Sequence, residues 1–161
     1  MEQREATARM LPHSLEAEKS VLGGMLISRE AAELVCEALK PEDFYLPAHQ
    51  DIYTAMLQLY NRGNAVDSVT LIDALEREGK LNAVGSVSYI TELSLFVPSA
   101  ANVSHYIRIV EDRSVMRQLI RAGTDIVQDA QTGERPVGDM LDDAERRIFN
   151  ISMKKSEDTL V

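Results

Sequence analysis

The chain has 161 residues, 45% of them apolar, which suits a single domain with a buried core and an appendage. Twenty-six acidic against seventeen basic residues leave a net charge of -9, which argues against sequence-independent attraction to phosphates and so against a DNA-gripping surface in this segment. The single Cys36 excludes an internal disulfide and reads as a small buried thiol in a reducing compartment. No apolar run approaches the roughly 18 residues that cross a bilayer, and Met1 to Ala8 carries no signal-peptide core, so a cytoplasmic protein is expected.

Glycine and proline are sparse and fall between segments rich in helix formers, so the chain is read as all-α. Ser14 is placed to cap a first helix, with Glu16 and Glu18 near its positive end and Leu15, Leu22, Met25 and Leu26 facing inward, ending near Ser28. A second helix spans about 29–39 and stops before Pro41. A third runs from Pro47 to about Arg62 with Ile52, Met56 and Leu59 inward, and Gly63 ends it. Asp67 or Ser68 caps a fourth carrying Ile72 and Leu75, and Gly79 follows it. Ser86 is expected to cap a fifth that turns Val87, Ile90 and Leu93 inward before Pro98. Leu81 and Val84 anchor the intervening loop. Tyr89 falls one step off the apolar set, either a core tyrosine with a satisfied hydroxyl or a partly exposed ring.

From Asn102 a stretch of about 30 proline-free residues predicts a helix of roughly 45 Å. Residues 132–136 read as a tight turn, after which Val137, Leu141, Ala144, Ile148 and Ile151 recur at helical spacing. The matching seam on the first helix is Met116, Ile120, Gly123, Val127 and Ala130, which predicts an antiparallel hairpin. Gly123 stands either for a close helix approach or for a tolerated defect. Val115, Leu119 and Ile126 lie beside that seam, so the long helix carries an apolar arc wider than one short partner covers. Either the bundle folds back over the arc or another copy covers it. Self-association is assigned to Val115, Met116, Leu119, Leu141 and Ile148, some of which also serve the hairpin. Arg113, Arg117 and Arg121 form an i, i+4 stripe read as a solvated face, a set of inter-subunit ion pairs or, least compatible with the net charge, a DNA contact.

Catalytic groups are not found. A phosphate-cradling G-x-x-x-x-G-K-[ST] loop is absent: around Gly79-Lys80, Ala74 stands at the first glycine and Leu81 replaces the hydroxyl. His13, His49 and His105 have no metal-site spacing and are read as structural, with His49 hydrogen-bonded locally at a helix start. The carboxylates are scattered over amphipathic helices and show no acid/base pair. No catalytic, cofactor-binding or metal site is expected in this chain.

The ordered run from Leu11-Pro12-His13-Ser14 through Glu16, Glu18, Leu22 and Gly23-Gly24 resembles the start of the DnaB-type bacterial replicative helicases. The resemblance continues through Asp43-Phe44-Tyr45, His49-Gln50, Ile52-Tyr53, Ala55-Met56, Asp67, Thr70-Leu71, Gly79, Leu81, Val84-Gly85, Tyr89, Pro98-Ser99-Ala100-Ala101-Asn102, Tyr106 and Ile109-Val110. It covers about 11–152; the family pattern has a second glycine where Ser86 stands. The resemblance implies a small globular helical bundle followed by a long antiparallel helical hairpin. The divisions expected are a flexible arm at 1–10, the bundle at 11–101, the hairpin at 102–152 and the start of a linker to a motor domain at 153–161. It implies the amino-terminal collar of a homohexamer, a trimer of dimers paired through the hairpins, that docks the carboxyl-terminal domain of primase. The ATP-dependent 5′ to 3′ unwinding, its ATP and Mg, and most DNA contact would belong to the missing motor domain. Glu16, Tyr89, Ile120 and Ile126 are nominated for primase docking. The competing reading is a stand-alone helical adaptor or helicase regulator.

Overall fold

A computed structural model describes residues 10–159, with side chains through Lys154. The expected arm at 1–10 therefore lies almost wholly outside the described residues. Seven α-helices follow in order: α1 Leu15–Ile27, α2 Arg29–Ala38, α3 Pro47–Asn61, α4 Ser68–Arg77, α5 Ser86–Phe96, α6 Val103–Thr132 and α7 Val137–Thr159, with a 3-10 turn at Pro41–Asp43. No strand occurs among the described residues.

Capping follows from the sequence. The Ser14 side chain accepts from Ala17 N, and Ser28, the one residue between α1 and α2, accepts from Ala31 N while its own N–H bonds back to Gly24 O. Asp67 accepts from Thr70 N, and the Thr70 side chain accepts from Asp67 N, a reciprocal capping box at the start of α4. Gly63 and Gly79 take φ of 76° and 68°, the left-handed geometry that ends α3 and α4. The start of α5 differs from expectation: its cap is Gly85 at φ 112°, without a side-chain bond, and Ser86 itself sits at φ 66°. Two successive left-handed residues explain why the family pattern carries two glycines here.

The chain divides into two compact units, 13–114 and, of the described residues, 10–12 with 115–159. This division lies further along than the expected 101/102, because Val103, Ile107 and Val110 on the first turns of α6 belong to the bundle core. That core is built from Val21, Leu22, Met25, Val35, Phe44, Ile52, Tyr53, Met56, Leu71, Leu75, Ile90 and Leu93. Helix α1 packs on α2 and α5, and α3 on α4. At the α1–α5 crossing a Cβ on Gly23 would run into the Leu93 carbonyl oxygen, so only glycine admits that approach. Leu15 and Val87, expected inward, are exposed. The Tyr53 hydroxyl reaches the carbonyls of Val35 and Leu39 at 3.1 and 2.8 Å, satisfying the end of α2 from the core.

In the second unit α6 and α7 form the antiparallel hairpin, with Gly123, Ala144 and Ile151 half-buried as expected and the rest of the expected seam turned outward. Met116, Ile120, Val127 and Ala130 are exposed, whereas Ala122 is buried and Gly123 and Ile126 are half-buried. On α7, Met140, Ala144 and Ile151 turn inward while Val137, Leu141 and Ile148 face out. A Cβ on Gly123 would meet nothing within 4 Å, which removes close approach as its reason. Arg147 crosses to Asp125 at 2.7 Å, and Arg135 in the turn reaches Asp129 and Asp143 at 2.5 and 2.6 Å. The Arg135 guanidinium bonded to Asp143 holds that carboxyl below its ordinary value. Helix α7 runs on through Met153 to Thr159, where a linker was expected to begin.

The Arg113, Arg117, Arg121 stripe is not a uniform solvated face. Arg117 is buried and its Nη1 donates to Pro12 O at 2.8 Å, Arg113 is half-buried, and Arg121 alone is exposed.

Candidate partner-docking site

In the bundle the chemistry gathers around Glu18, on the same face of α1 as Leu22 and Met25. Glu18 is 1% exposed, and burial of an acid demands donors. Three converge on it: Tyr45 N at 2.8 Å, Leu46 N at 3.4 Å and Nδ1 of His49 at 2.8 Å. The first two N–H groups lie just ahead of α3, whose N-cap residue Leu46 has no capping side chain, so Glu18 supplies that function from another helix. His49, fully buried near the start of α3, is not hydrogen-bonded locally as expected; its partners are 31 and 40 residues away. Its Nε2 meets the Tyr89 hydroxyl at 2.6 Å, and the two rings lie 12° from parallel with centroids 5.9 Å apart.

Tyr89 therefore combines both expected possibilities, a satisfied hydroxyl and a half-buried ring. Burial first, then the negative charges of Glu92 and Glu18, pushes its phenol above the ordinary value, so it keeps its proton. Lys19 Nζ stands 5.8 Å from the Tyr89 ring centroid, 5.3 Å from that of Phe96 and 3.6 Å from Glu92. Leu95 and Phe96, at the end of α5, are 77% and 39% exposed, and Glu16 is exposed in the first turn of α1. Sequence reasoning placed Glu18 at a helix start for its charge and missed its burial. The available signal was an acid three and seven residues from Val21 and Met25 on an apolar stripe.

The hairpin residues lie differently. Met116, Leu119, Ile120, Leu141 and Ile148 are 43–59% exposed: Leu119 and Met116 are each 46% exposed, Ile120 43%, Leu141 59% and Ile148 46%. Val115 and Ile126 are half-buried. Phe149, 61% exposed on α7, was missed, although it neighbours the expected seam. Near the turn a groove of about 380 Å³ is lined by Ile126, Ala130, Val137, Met140, Leu141 and Ala144, with Arg135 and Arg147 at its side.

Other chemistry is spare. Burial pushes the Cys36 thiol up to about 11, an unreactive group. Among the described residues there is no group of three or more His, Cys, Asp or Glu that could hold a metal ion, and no helix long and apolar enough to cross a membrane.

Residues 10–112 match the model of the DnaB-like helicase N terminal domain. The chain is 46% identical over 147 residues to the replicative DNA helicase DnaB of Geobacillus stearothermophilus, covering 91% of this chain and 32% of that protein. It is 43% identical over 148 residues to the replicative DNA helicase DnaC of Bacillus subtilis, covering 92% and 33%. It thus spans about a third of the length of these relatives. Among solved structures, the N-terminal domain of DnaB helicase from Mycobacterium tuberculosis superimposes with a TM-score of 0.83 at 43% identity, covering 88% of this chain and 99% of that one. A DnaB-like replicative helicase, described with its interactions with primase, gives a TM-score of 0.69 at 27% identity, covering 83% and 31%. With its bundle, hairpin and ordered motifs, this chain belongs to the DnaB-like helicase N-terminal domain family.

Proposed function

We propose that the chain is the collar domain of a hexameric replicative DNA helicase, joining subunits through its hairpin and docking primase during DNA replication in the cytoplasm. The observation that carries this reading is the hairpin's exposed apolar surface: Met116, Leu119, Ile120, Val127, Leu141, Ile148 and Phe149 are each between 43% and 61% exposed. Covering the exposed part of such side chains is worth roughly 1 kcal/mol each, enough in sum to hold two copies together. Because a two-fold contact uses one patch twice, Val115, Met116, Leu119, Leu141 and Ile148 would pair hairpins, and three such pairs would close the collar.

Under this reading the ATP-driven 5′ to 3′ unwinding, with ATP and Mg, belongs to a carboxyl-terminal motor domain, as does most contact with DNA. Primase docking falls to Glu16 and Tyr89 in the bundle and Ile120 and Ile126 in the hairpin. Support comes from the solved relative whose interactions with primase are described and from the exposure of Glu16 and Ile120. The test is the affinity of the primase carboxyl-terminal domain for this chain. Glu16→Lys and alanine at Tyr89, Ile120 and Ile126 should each weaken it by about tenfold, the usual effect of removing a well-placed interface side chain, with helicity unchanged. Unchanged affinity in all four folded variants contradicts the assignment.

A further inference from the structure

Two reversals of the chain leave a groove in the bundle that the function proposed above does not use. Ser28 is the one residue between α1 and α2, and Gly63, at φ 76°, turns the chain out of α3. Both line a space of about 510 Å³, the size of an ordinary ligand pocket. Leu26 and Ala32, both buried, and the half-buried Val66 give it an apolar lining, to which α5 and the hairpin contribute no residue. Ile27, also in the lining, is 44% exposed, and a Cβ on Gly63 would meet nothing within 4 Å. An occupant therefore stays partly in water, which suits a segment of another protein better than an enclosed small molecule.

The groove also carries charge. Glu33 lines it and Glu37 stands one turn further along α2, both exposed. Their carboxylates act on the half-buried Tyr60 in the lining: burial first, then Glu37 and Glu33, holds its phenol above the ordinary value, so it stays neutral. Arg29 is the one cation among the described lining residues. It lies 3.9 Å from Glu33 with its side chain 95% exposed, a loose pair that leaves the charge of Glu37 unbalanced. A second copy, with the same net charge of -9, is repelled from such a site, whereas a cationic segment is drawn to it.

We infer that this groove docks a segment of another protein that presents a lysine or arginine beside an aliphatic side chain. The aliphatic group covers Leu26, Ala32 and Val66, while the cation meets the Tyr60 ring and the carboxylates of Glu33 and Glu37. All of the lining belongs to the bundle unit, so this contact requires nothing from the hairpin.

The experiment titrates the isotope-labelled 161-residue chain with the peptide acetyl-Lys-Leu-Lys-amide at low ionic strength and follows the backbone amides by NMR. Signals of Ile27, Ala32, Asn64 and Val66 should shift together to saturation. Acetyl-Lys-Gly-Lys-amide, which lacks the aliphatic group, should bind about tenfold more weakly, and acetyl-Glu-Leu-Glu-amide should leave those signals in place. Glu33→Gln combined with Glu37→Gln should weaken binding about two- to fivefold, the range for exposed ion pairs. Arg29→Gln removes the competing cation and should strengthen binding about twofold. All three side chains are exposed, so the fold tolerates these changes, and unmoved signals from the bundle core check it. Shifts scattered over every acidic face, equal affinity for the glycine peptide, or weaker binding in Arg29→Gln would overturn the inference. Groove signals that move when the chain alone is concentrated would assign the groove to a second copy and overturn the cationic partner.

Discussion

At Ser86 the backbone stands at φ 66°, directly after Gly85 at 112°. A side chain in the left-handed region costs about 1–2 kcal/mol, and its hydroxyl, 3.3 Å from Asn82 Oδ1, recovers little in an exposed position. Glycine would remove that strain but lose about 0.5–1 kcal/mol more conformational freedom on folding. The strain is the larger effect, so Ser86→Gly should stabilise the chain by roughly 0.5 kcal/mol, read as a higher denaturant midpoint with unchanged slope. A lower midpoint would mean that the hydroxyl bond outweighs the strain. Ser86 stood out in the sequence as a departure from the family pattern, whereas the partnership of Glu18, His49 and Tyr89 did not. Helical spacing reveals which residues share a face of one helix, and it carries no information on which atoms meet across three helices.

Among the helices, boundaries were legible wherever the chain marks them chemically: Ser14 and Asp67 cap, Pro41 and Pro47 break or begin, Gly63 and Gly79 terminate. The phase of the hairpin was not. Both α6 and α7 carry apolar residues over more than one face, so Ile126 and Val127, or Met140 and Leu141, fit a seam almost equally, and the structure selects Ile126 and Met140. Charged pairs accompany that phase, with Arg147 opposite Asp125 and Arg135 between Asp129 and Asp143. The α1–α5 crossing is more tightly specified. Gly23→Ala must push α5 away from α1 at the Leu93 carbonyl, a backbone group that cannot rotate aside. The expected loss is about 1–3 kcal/mol, the range for overpacking a core, measured by chemical denaturation. Gly123→Ala, with open space around its added methyl, should instead stabilise α6 by up to about 1 kcal/mol, and similar effects at both glycines would contradict the distinction.

For the molecule as a whole, a net charge of -9 keeps copies apart at long range while the hairpin's apolar side chains favour contact at short range. Under the function proposed above, contact wins and the hairpin is a joint between copies. The direct measurement is molar mass by light scattering across a concentration series, for the chain and for Leu119→Asp, with helicity followed by circular dichroism. Mass should rise with concentration for the unmodified chain and stay at the monomer value for Leu119→Asp at equal helicity. A monomer at every concentration, or a Leu119→Asp variant that associates as readily as the parent, would contradict a joint through the hairpin.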